Sequence, residues 1–334
     1  MLRIGVIGFG YWGPNVVRNF SAAKGSQVVA VCDINKTVLE KVKKAYPYVK
    51  VMNDANELIN DTQIDAVAIA TPVFTHFELG KRALEAGKHI FIEKPLTHTV
   101  AEGEELIELA AKKNLKIMVD HTFLYTGAVR KIKELVEDNV LGDLYYFDSV
   151  RVNLGLFQHD VNVVWDLAPH DFSIMDYIIG KSPEAVVATG AGHFGRGLED
   201  IAFLTFYYPN NIIAHINVNW LSPVKVRTTL IGGEKKMLVW NDIEPDEKIK
   251  IYDKGVQVRT KEGRYNLLVD YRSGDMWAPK IERTEALHLM AEKFVDYVDH
   301  DGAVVNDGVA GLNIVKMLEA ANKSLQNKSE MIYI

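Results

Sequence analysis

The sequence has little of what disulfide-bonded, membrane-bound or secreted proteins are built from. It contains one cysteine, Cys32, so an intrachain disulfide is impossible and a reducing compartment is the simpler expectation. Cys32 lies inside an apolar run, which favours core packing over a nucleophilic role. No apolar run reaches the roughly 18 residues that a membrane-spanning helix needs, and the chain starts with a strand pattern rather than a signal peptide. We therefore expect a cytoplasmic protein without a membrane partner.

Blocks of like charge, repeats and metal-binding motifs are also absent. The 38 basic and 44 acidic residues are interspersed and give a formal net charge of −6, which argues against a nucleic-acid partner. No cysteine cluster and no HExxH spacing occurs, so we expect no metal site. The lack of low-complexity tracts and long linkers indicates folded domains throughout.

The chain is long enough for two domains. A single hydrophobic core usually stops growing near roughly 250 to 300 residues, and the chain has 334. Over residues 1–122, apolar strands alternate with amphipathic helices, which predicts an α/β domain with a doubly wound parallel sheet. The predicted strands are residues 2–7, 27–33, 64–70, 89–92 and 116–119, and the predicted helices include residues 37–46, 75–86 and 100–113.

The pattern changes in residues 123–334. Several long strands follow one another without a helix, which predicts an α+β domain on an open, largely antiparallel sheet. Strands are predicted at residues 144–152, 185–189, 201–208, 212–218, 226–231 and 236–240, and helices at residues 165–179, 285–299 and 307–325. Helices can cover one face of such a sheet and a second subunit the other. We therefore expect a homodimer or homotetramer.

The most informative segment is a glycine turn between the first strand and the first helix. Gly8, Gly10 and Gly13 form a GxGxxG pattern directly after residues 2–7. In this position the first glycine allows a tight turn, the second lets the backbone approach a pyrophosphate, and the third lets helix and strand pack closely. Pro14 suits the first helical turn, whose free N–H groups can bind phosphate. The pattern predicts a Rossmann domain that binds a dinucleotide.

An acidic residue at the end of the second strand indicates which dinucleotide is bound. Asp33 follows Gly13 by twenty residues, the spacing at which a carboxylate can accept hydrogen bonds from the adenosine ribose. A carboxylate here repels the 2′-phosphate of NADP, and Ile34-Asn35 supplies no arginine, although Lys36 lies nearby. We therefore expect NAD as the cofactor. The alternative is a glycine-rich turn in an α/β domain that binds no nucleotide.

Polar residues follow three strands of the predicted parallel sheet, at the edge where ligands bind. They are Thr71-Pro72, Glu93-Lys94-Pro95 and His121. Lys94 directly follows a buried strand and is restrained by the proline after it, so its amine is a candidate acid–base or hydrogen-bonding group beside the cofactor. The alternative is a solvated lysine at a strand end.

A second polar cluster lies in the segment Trp165-Asp166-Leu167-Ala168-Pro169-His170-Asp171. Asp166 and His170 are four residues apart, so a helix would direct a carboxylate and an imidazole at one substrate hydroxyl. Pro169 weakens the helix only slightly if it lies near the helix start. Two alternatives stay open. One is a metal site, for which further ligands are lacking, and the other is a structural pair in which Asp166 caps the helix and His170 packs.

Together these motifs resemble the glucose-fructose oxidoreductase/inositol dehydrogenase (Gfo/Idh/MocA) family over nearly the whole chain. The resemblance is carried by Gly8 to Gly13, Ala70-Thr71-Pro72, Glu93-Lys94-Pro95, and the D-x-x-x-H pair Asp166 and His170. It implies an oxidoreductase in which the lysine of the Glu-Lys-Pro motif and the later Asp/His pair line the substrate site. In this sequence these residues are Lys94, Asp166 and His170.

Within the family the chain looks most similar to enzymes that act on sugar nucleotides, in particular the UDP-N-acetylglucosamine 3-dehydrogenases. Residues 153–157, 165–171 and 271–275 carry this closer resemblance. It implies oxidation of the 3-hydroxyl of UDP-N-acetylglucosamine to a 3-keto sugar, which an aminotransferase could then use. Arg151 and Arg272 are candidates to bind the diphosphate in bidentate fashion, with surface salt bridging as their alternative role.

The expected reaction is the NAD-dependent oxidation of a sugar CH–OH group. His170 is the expected general base, Lys94 the hydrogen-bond donor to the developing alkoxide, and Asp166 the residue that orients His170 or the sugar. The roles of His170 and Lys94 are exchangeable. The predicted cofactor-binding residues are Gly8, Phe9, Gly10, Tyr11, Trp12, Gly13, Asp33, Thr71, Pro72, His76, Glu93, Lys94 and Trp165. The predicted substrate-binding residues are Lys94, His121, Arg151, Asn153, Asp166, His170 and Arg272.

Three other functions fit the same pattern. The first is a dehydrogenase of inositol or of a free sugar. The second is a non-catalytic NAD(H)-binding sensor, which would bind NAD and turn over neither polyols nor sugar nucleotides. The third is NAD-dependent glycoside cleavage, in which a transient oxidation assists elimination and no net NADH forms.

Overall fold

The chain folds into two compact units. The computed structural model describes residues 1–155, 158, 160–194, 197–258 and 269–334. The first unit comprises Met1–Thr126 and Thr284–Glu319, and the second comprises Gly127–Arg283 and Ala320–Ile334. The sequence pattern predicts one boundary after residue 122, whereas in the structure residues 284–319 return to the first unit. Among the described residues, no helix combines the length and apolar character that a membrane span requires.

The first unit contains a six-stranded, entirely parallel sheet. Its strands are β1 (Leu2–Ile7), β2 (Ser26–Cys32), β3 (Lys50–Met52), β4 (Ala66–Ile69), β5 (His89–Glu93) and β6 (Ile117–Asp120). They lie in the order β3-β2-β1-β4-β5-β6, with all neighbours parallel. The order reverses at β1, so the carboxyl ends of β1 and β4 form the switch point where ligands bind in such sheets. The predicted doubly wound Rossmann architecture is confirmed.

Local sequence signals explain where the helices begin and end. The α-helices of the described chain are α1 (Gly13–Ala22), α2 (Lys36–Ala45), α3 (Ala55–Ile59), α4 (His76–Glu85), α5 (Val100–Lys113), α6 (Gly127–Glu137), α7 (Val163–Ile179), α8 (Ala286–His300) and α9 (Gly308–Gln326). For example, α5 begins at a capping box formed by Thr99 and Glu102, and it ends at Asn114 in the left-handed conformation.

Aromatic packing holds α8 in the first unit. The ring centroid of Phe294 on α8 lies 5.8 Å from that of Phe20 on α1 and 5.7 Å from that of Phe91 on β5. The rings of Phe20 and Phe91 are 5.1 Å apart, and all three side chains are fully buried. Edge-to-face contact adds to the free energy gained from burying such large apolar rings. This packing depends on tertiary structure, so the periodicity of the sequence does not reveal it.

The second unit is built on a nine-stranded sheet within the described residues. Its strands are β7 (Leu144–Leu154), β8 (Ala185–Ala191), β9 (Ile201–Tyr207), β10 (Ile213–Asn219), β11 (Leu221–Gly233), β12 (Met237–Asn241), β13 (Ile249–Val258), β14 (Val269–Trp277) and β15 (Ile332–Tyr333). Their order is β14-β13-β12-β11-β7-β10-β9-β8-β15. Neighbours are antiparallel except for β7 and β10. The predicted, largely antiparallel sheet is confirmed.

The two faces of this sheet differ in burial. On one face Phe206 of β9 packs against Phe172 of α7, with ring centroids 5.0 Å apart. On the other face Phe203, Tyr207 and Ile213 are 45%, 37% and 42% exposed. An exposed apolar sheet face favours association with another protein surface. The expectation that a second subunit covers this face stays a prediction.

Candidate active site

The glycine turn has the geometry that a dinucleotide site requires. Gly8 adopts a left-handed φ of 94°, and a Cβ atom there would lie 2.4 Å from the carbonyl oxygen of Ala70. A Cβ atom on Gly13 would lie 2.2 Å from the carbonyl oxygen of Gly8. At Gly10, by contrast, nothing lies within 4 Å of the Cβ position. Two glycines therefore permit close packing of the turn, and the third leaves room for a pyrophosphate.

The start of α1 and the end of β2 complete this cradle. α1 begins at Gly13 with Pro14 in its first turn and has no side-chain cap, so its first N–H groups can bind a phosphate. Asp33 accepts hydrogen bonds of 2.8 Å from the N–H groups of Phe9 and Asn35. Its carboxylate is only partly buried, so lone pairs are left for ribose hydroxyls. The residues of the cradle fit NAD, and Asp33 would hold the adenosine ribose.

A buried histidine ties the segment after β4 to the segment after β5. His76 is 0% exposed, with Nε2 lying 2.8 Å from the carbonyl oxygen of Thr71 and Nδ1 lying 2.9 Å from that of Pro95. Burial lowers the pKa of His76, whereas the two carbonyl acceptors raise it. The predicted direct contact of His76 with the cofactor is corrected, because both ring nitrogens are engaged within the protein. His76 instead positions the two segments that carry Thr71 and Lys94.

Two acidic residues end neighbouring strands at this edge of the sheet. Glu93 of β5 and Asp120 of β6 are paired across the strands. Burial raises the pKa of Glu93 well above its usual range and also raises the pKa of Asp120. Trp12 Nε1 donates a hydrogen bond of 2.7 Å to Asp120, which links the glycine turn to β6. Sequence reasoning missed Asp120, although an acid at the end of a strand next to β5 was an available signal.

His121 follows β6 and is within electrostatic reach of Lys94. It is 1% exposed, and neither ring nitrogen has a hydrogen-bond partner in the part of the chain that the structure describes. Burial, and secondarily the charge of Lys94, lowers the pKa of His121 to about 3, so the imidazole is neutral at physiological pH. An unsatisfied buried polar group costs about 1 to 3 kcal/mol, which points to a partner supplied from outside the chain. The predicted contact of His121 with the substrate stays a prediction.

In the second unit, α7 presents Asp166 and His170 one helical turn apart, as predicted. The helix is continuous over both positions, so the pair shares one face, and the proline between them lies inside the helix rather than at its start. The residue that caps the helix is Asn162, whose side chain accepts a hydrogen bond of 3.1 Å from the Trp165 N–H. The alternative in which Asp166 caps the helix is therefore wrong.

A tryptophan between β10 and β11 holds the carboxylate of this pair. Trp220 Nε1 donates a hydrogen bond of 3.1 Å to Asp166 Oδ2. Asp166 and His170 are both partly exposed, so a ligand can reach them. Sequence reasoning missed Trp220, because it lies 54 residues from Asp166 and no local pattern connects the two.

Arg151 is buried in an ion pair. Its Nε donates to Asp171 Oδ2 at 2.6 Å and its Nη2 donates to Asp171 Oδ1 at 3.2 Å. Ser149 donates a further hydrogen bond of 2.8 Å to the same carboxylate. Arg151 and Asp171 are 4% and 2% exposed. Both predicted roles of Arg151, the diphosphate contact and the surface salt bridge, are corrected, because its guanidinium pairs with a carboxylate in the core.

Arg272 lies far from Arg151 in the same sheet. β14, which carries Arg272, is four positions from β7 in the strand order. Since neighbouring strands are about 4.8 Å apart, roughly 19 Å separates the two positions, more than one diphosphate bridges. Arg272 Nε donates a hydrogen bond of 2.8 Å to Asp253 Oδ1. The structure does not bring the two arginines together, and the salt-bridge alternative describes Arg272.

The other predicted site residues vary in exposure. Tyr11 on the glycine turn is 88% exposed, whereas the side chain of Trp165 is only 8% exposed. Asn153 is partly buried near the end of β7. The predicted contacts of these three residues stay predictions. Leu156 and Phe157, which belong to the closer resemblance, lie outside the described residues. Over the described ranges, no group of three His, Cys, Asp or Glu side chains is arranged to hold a metal ion.

Comparison with known families decides the assignment. Residues 2–121 match the oxidoreductase family with an NAD-binding Rossmann fold, GFO_IDH_MocA, and residues 129–239 match the GFO/IDH/MocA C-terminal domain. The chain belongs to the Gfo/Idh/MocA family. It is an NAD-binding oxidoreductase, and the family resemblance drawn from the sequence motifs is confirmed.

Individual relatives of this family member carry different names. The chain is 35% identical over 260 residues to the uncharacterized oxidoreductase YdgJ of Escherichia coli K12, covering 74% of this chain and 73% of that protein. It is 30% identical over 202 residues to the myo-inositol 2-dehydrogenase of Thermotoga maritima, covering 57% of this chain and 58% of that protein. The solved structure of UDP-N-acetylglucosamine 3-dehydrogenase GnnA from Acidithiobacillus ferrooxidans superposes with a TM-score of 0.81 at 23% identity, covering 98% of this chain and 99% of that one. At that identity the last likeness shows the fold alone.

Proposed function

We propose that this oxidoreductase is an NAD-dependent dehydrogenase that oxidises a secondary hydroxyl of a sugar. The observation that carries the proposal is the Asp166 and His170 pair on one face of α7. A carboxylate and an imidazole on adjacent turns of a helix can together remove a hydroxyl proton. Bound NAD supplies the acceptor for the carbon-bound hydride.

Each of the three catalytic candidates has a separate task in this proposal. His170 takes the proton of the hydroxyl that is oxidised, and Asp166, held by Trp220, orients the imidazole or the sugar. Lys94 donates a hydrogen bond to the oxygen as it becomes an alkoxide, which stabilises the developing negative charge. Exchange of the base and donor roles between His170 and Lys94 leaves the chemistry unchanged.

We propose a nucleotide sugar as the substrate, with UDP-N-acetylglucosamine oxidised at its 3-hydroxyl. The motif resemblance at residues 165–171 and 271–275 supports this choice. The product would be a 3-keto sugar, and a ketone of this kind is suited to a following amino-transfer step by a downstream aminotransferase. Since Arg151 is paired with Asp171 and Arg272 with Asp253, the diphosphate needs donors other than these two arginines.

Inositol is a second candidate substrate. The 30% identity to a myo-inositol 2-dehydrogenase favours it. Inositol and a pyranose ring both present secondary hydroxyls, so the same proton and hydride transfers apply to each. The two candidates differ in the nucleotide diphosphate, which only the first possesses.

An NADH assay with matched substrates tests the proposal. We expect kcat/KM for UDP-N-acetylglucosamine to exceed that for UDP-glucose, free N-acetylglucosamine and myo-inositol by about tenfold or more, a usual scale for discrimination between close analogues. Because oxidation to the ketone is unfavourable at equilibrium, the assay includes an aminotransferase and an amino donor. Faster turnover of inositol than of any nucleotide sugar would overturn the substrate proposal and leave the dehydrogenase standing. If the protein binds NAD but turns over none of these substrates, both the dehydrogenase proposal and the substrate proposal are contradicted.

Replacement of Asp33 tests the cofactor preference. Asp33→Ser removes the acceptor for the ribose hydroxyls, and we expect KM for NAD to rise by about 10 to 10², the scale of one or two charge-assisted hydrogen bonds. The ratio of NAD to NADP efficiency should fall. Asp33→Asn keeps an acceptor for the Phe9 N–H, so it separates the loss of charge from the loss of this contact. Glu40→Ser, at an exposed acid on α2, serves as the control. Equal use of NAD and NADP by the unmodified protein would contradict this role of Asp33.

A further inference from the structure

Two carboxyl groups in the first unit lie side by side at the ends of neighbouring strands. Glu93 ends β5, Asp120 ends β6, and the two residues are directly opposite each other in the sheet. Asp120 is 2% exposed, and the Oε2 atom of Glu93 is also buried. Two ionised carboxylates buried next to each other repel, so these surroundings favour a single proton on the pair.

The contacts around the pair assign this proton to Glu93. Asp120 accepts a hydrogen bond of 2.7 Å from Trp12 Nε1 and another from Thr122 Oγ1, and both donors stabilise its negative charge. Glu93 Oε2 is buried and has no donor among the described residues. A proton on Glu93 removes the cost of burying an ionised oxygen that has no donor. Burial raises the pKa of Glu93 well above its usual range, and the charge of Asp120 raises it further.

The electrostatic surroundings of the pair are simple. Lys94 is the cation that acts on Glu93 among the described residues. Burial lowers the pKa of His121 to about 3, so this neighbour is neutral, and the donors Trp12 and Thr122 carry no charge. With one proton, the pair holds a single negative charge, which the charge of Lys94 balances.

In a Rossmann sheet the two halves of the dinucleotide lie on opposite sides of the switch point, and the pair lies in the half away from Asp33. Asp33 at the end of β2 marks the adenosine half, and β4, β5 and β6 lie on the other side of β1. The phosphates are the same in NAD⁺ and NADH. The oxidised ring differs from the reduced ring by one positive charge. A cation added to the balanced cluster favours ionisation of the neutral carboxyl group.

We propose that the Glu93–Asp120 pair stores one proton that the protein releases when NAD⁺ binds and keeps when NADH binds. The released proton passes to the solvent, and no covalent bond changes. The pair therefore makes the preference for oxidised over reduced cofactor depend on pH. This inference rests on NAD binding, which the family establishes, and is independent of which sugar or polyol is oxidised.

Proton linkage gives the sign and size of the pH dependence of cofactor affinity. Below the pKa of the pair, NAD⁺ competes with the stored proton, so its affinity rises as the pH rises and levels off above that pKa. Release of one proton corresponds to a change in Kd of at most about tenfold per pH unit. NADH does not displace the proton, so its Kd should be flat over the same range.

Calorimetry on the intact protein measures both quantities without any turnover. Titrations of NAD⁺ and NADH over a series of pH values give the two Kd profiles, and buffers of different ionisation enthalpy give the protons released per cofactor bound. We expect up to one proton released with NAD⁺ and none with NADH. Parallel pH profiles for the two cofactors would overturn the proposal.

Three isosteric variants test which carboxyl groups release the proton when NAD⁺ binds. Glu93→Gln and Asp120→Asn should each abolish the NAD⁺-specific proton release, because neither leaves a carboxyl pair. Glu85→Gln, at an exposed acid in the same unit, should retain it. If the first two variants do not fold, infrared difference spectra of the unmodified protein decide the question. NAD⁺ should remove a protonated-carboxyl band that NADH leaves in place, and an unchanged band on NAD⁺ binding would overturn the proposal.

Discussion

We expect that alanine in place of Lys94 or His170 lowers kcat by about 10² to 10⁴, the usual effect of removing a positioned acid, base or oxyanion donor. His170 lies on α7 in the second unit, outside the NAD-binding Rossmann domain, so its removal should leave the Kd for NAD nearly unchanged. Steady-state assays with the best substrate give kcat and KM, and calorimetry gives the Kd for NAD. A fall in kcat without a matching change in KM identifies an interaction made in the transition state.

Alanine substitutions of an exposed lysine and an exposed histidine serve as controls for the two active-site variants. Lys112 on α5 and His300 on α8 have side chains that are 72% and 74% exposed, so Lys112→Ala and His300→Ala should retain normal turnover. Near-normal turnover of both Lys94→Ala and His170→Ala would place the reaction elsewhere in the protein. If only one of the two variants loses turnover, both the proton transfer and the stabilisation of the alkoxide are assigned to the residue replaced in that variant.

The second large effect concerns the glycine turn. Gly10→Val should leave the apo protein folded, because the Cβ position is open and the backbone there is outside the left-handed region. The added side chain occupies the space in which a pyrophosphate meets the backbone. Loss of two charge-assisted hydrogen bonds at about 1.5 to 2 kcal/mol each weakens NAD binding by about 10² to 10³.

The neighbouring glycine provides a contrasting variant. A Cβ atom on Gly13 would lie 2.2 Å from the backbone oxygen of Gly8, which cannot move aside like the end of a flexible side chain. Gly13→Val should therefore lower the melting temperature of the apo protein, whereas Gly10→Val should not. Thermal unfolding without NAD and calorimetry with NAD separate the two outcomes. Normal NAD affinity in Gly10→Val would show that the phosphates are bound elsewhere.

The sequence predicted those parts of the fold that local signals determine. The helix expected at residues 100–113 is α5, because its cap and its left-handed stop are both short-range features. β3 was missed because three residues are too few for a periodicity to appear. The return of α8 to the first unit and the parallel pairing of β7 with β10 depend on contacts between distant segments. No window of sequence contains that information.

The candidate site shows the same contrast between features set by local sequence and features set by distant contacts. Asp33, Lys94 and the Asp166 and His170 pair can be predicted as site residues because each belongs to a short motif with a fixed relation to a strand or helix. Their supporting residues were not found, because the partners are remote in sequence: Trp12 and Asp120 are 108 residues apart. Arg151 was assigned to the wrong partner for a related reason. A cation in a strand pattern gives no sign of which carboxylate it faces.

The buried pair of Arg151 and Asp171 fixes the rotation of α7. Successive residues of an α-helix are turned by about 100°, so a core-facing Asp171 sets the direction in which His170 leaves the helix axis. Removing one partner of such a pair lowers the free energy of unfolding by about 3 to 5 kcal/mol. Substitutions at either position are therefore selected against, because they destabilise the fold. Substitutions at partly exposed positions such as Asn153, a predicted substrate residue, should therefore leave the orientation of His170 unchanged. A mutagenesis library aimed at new sugars should keep positions 151 and 171 constant.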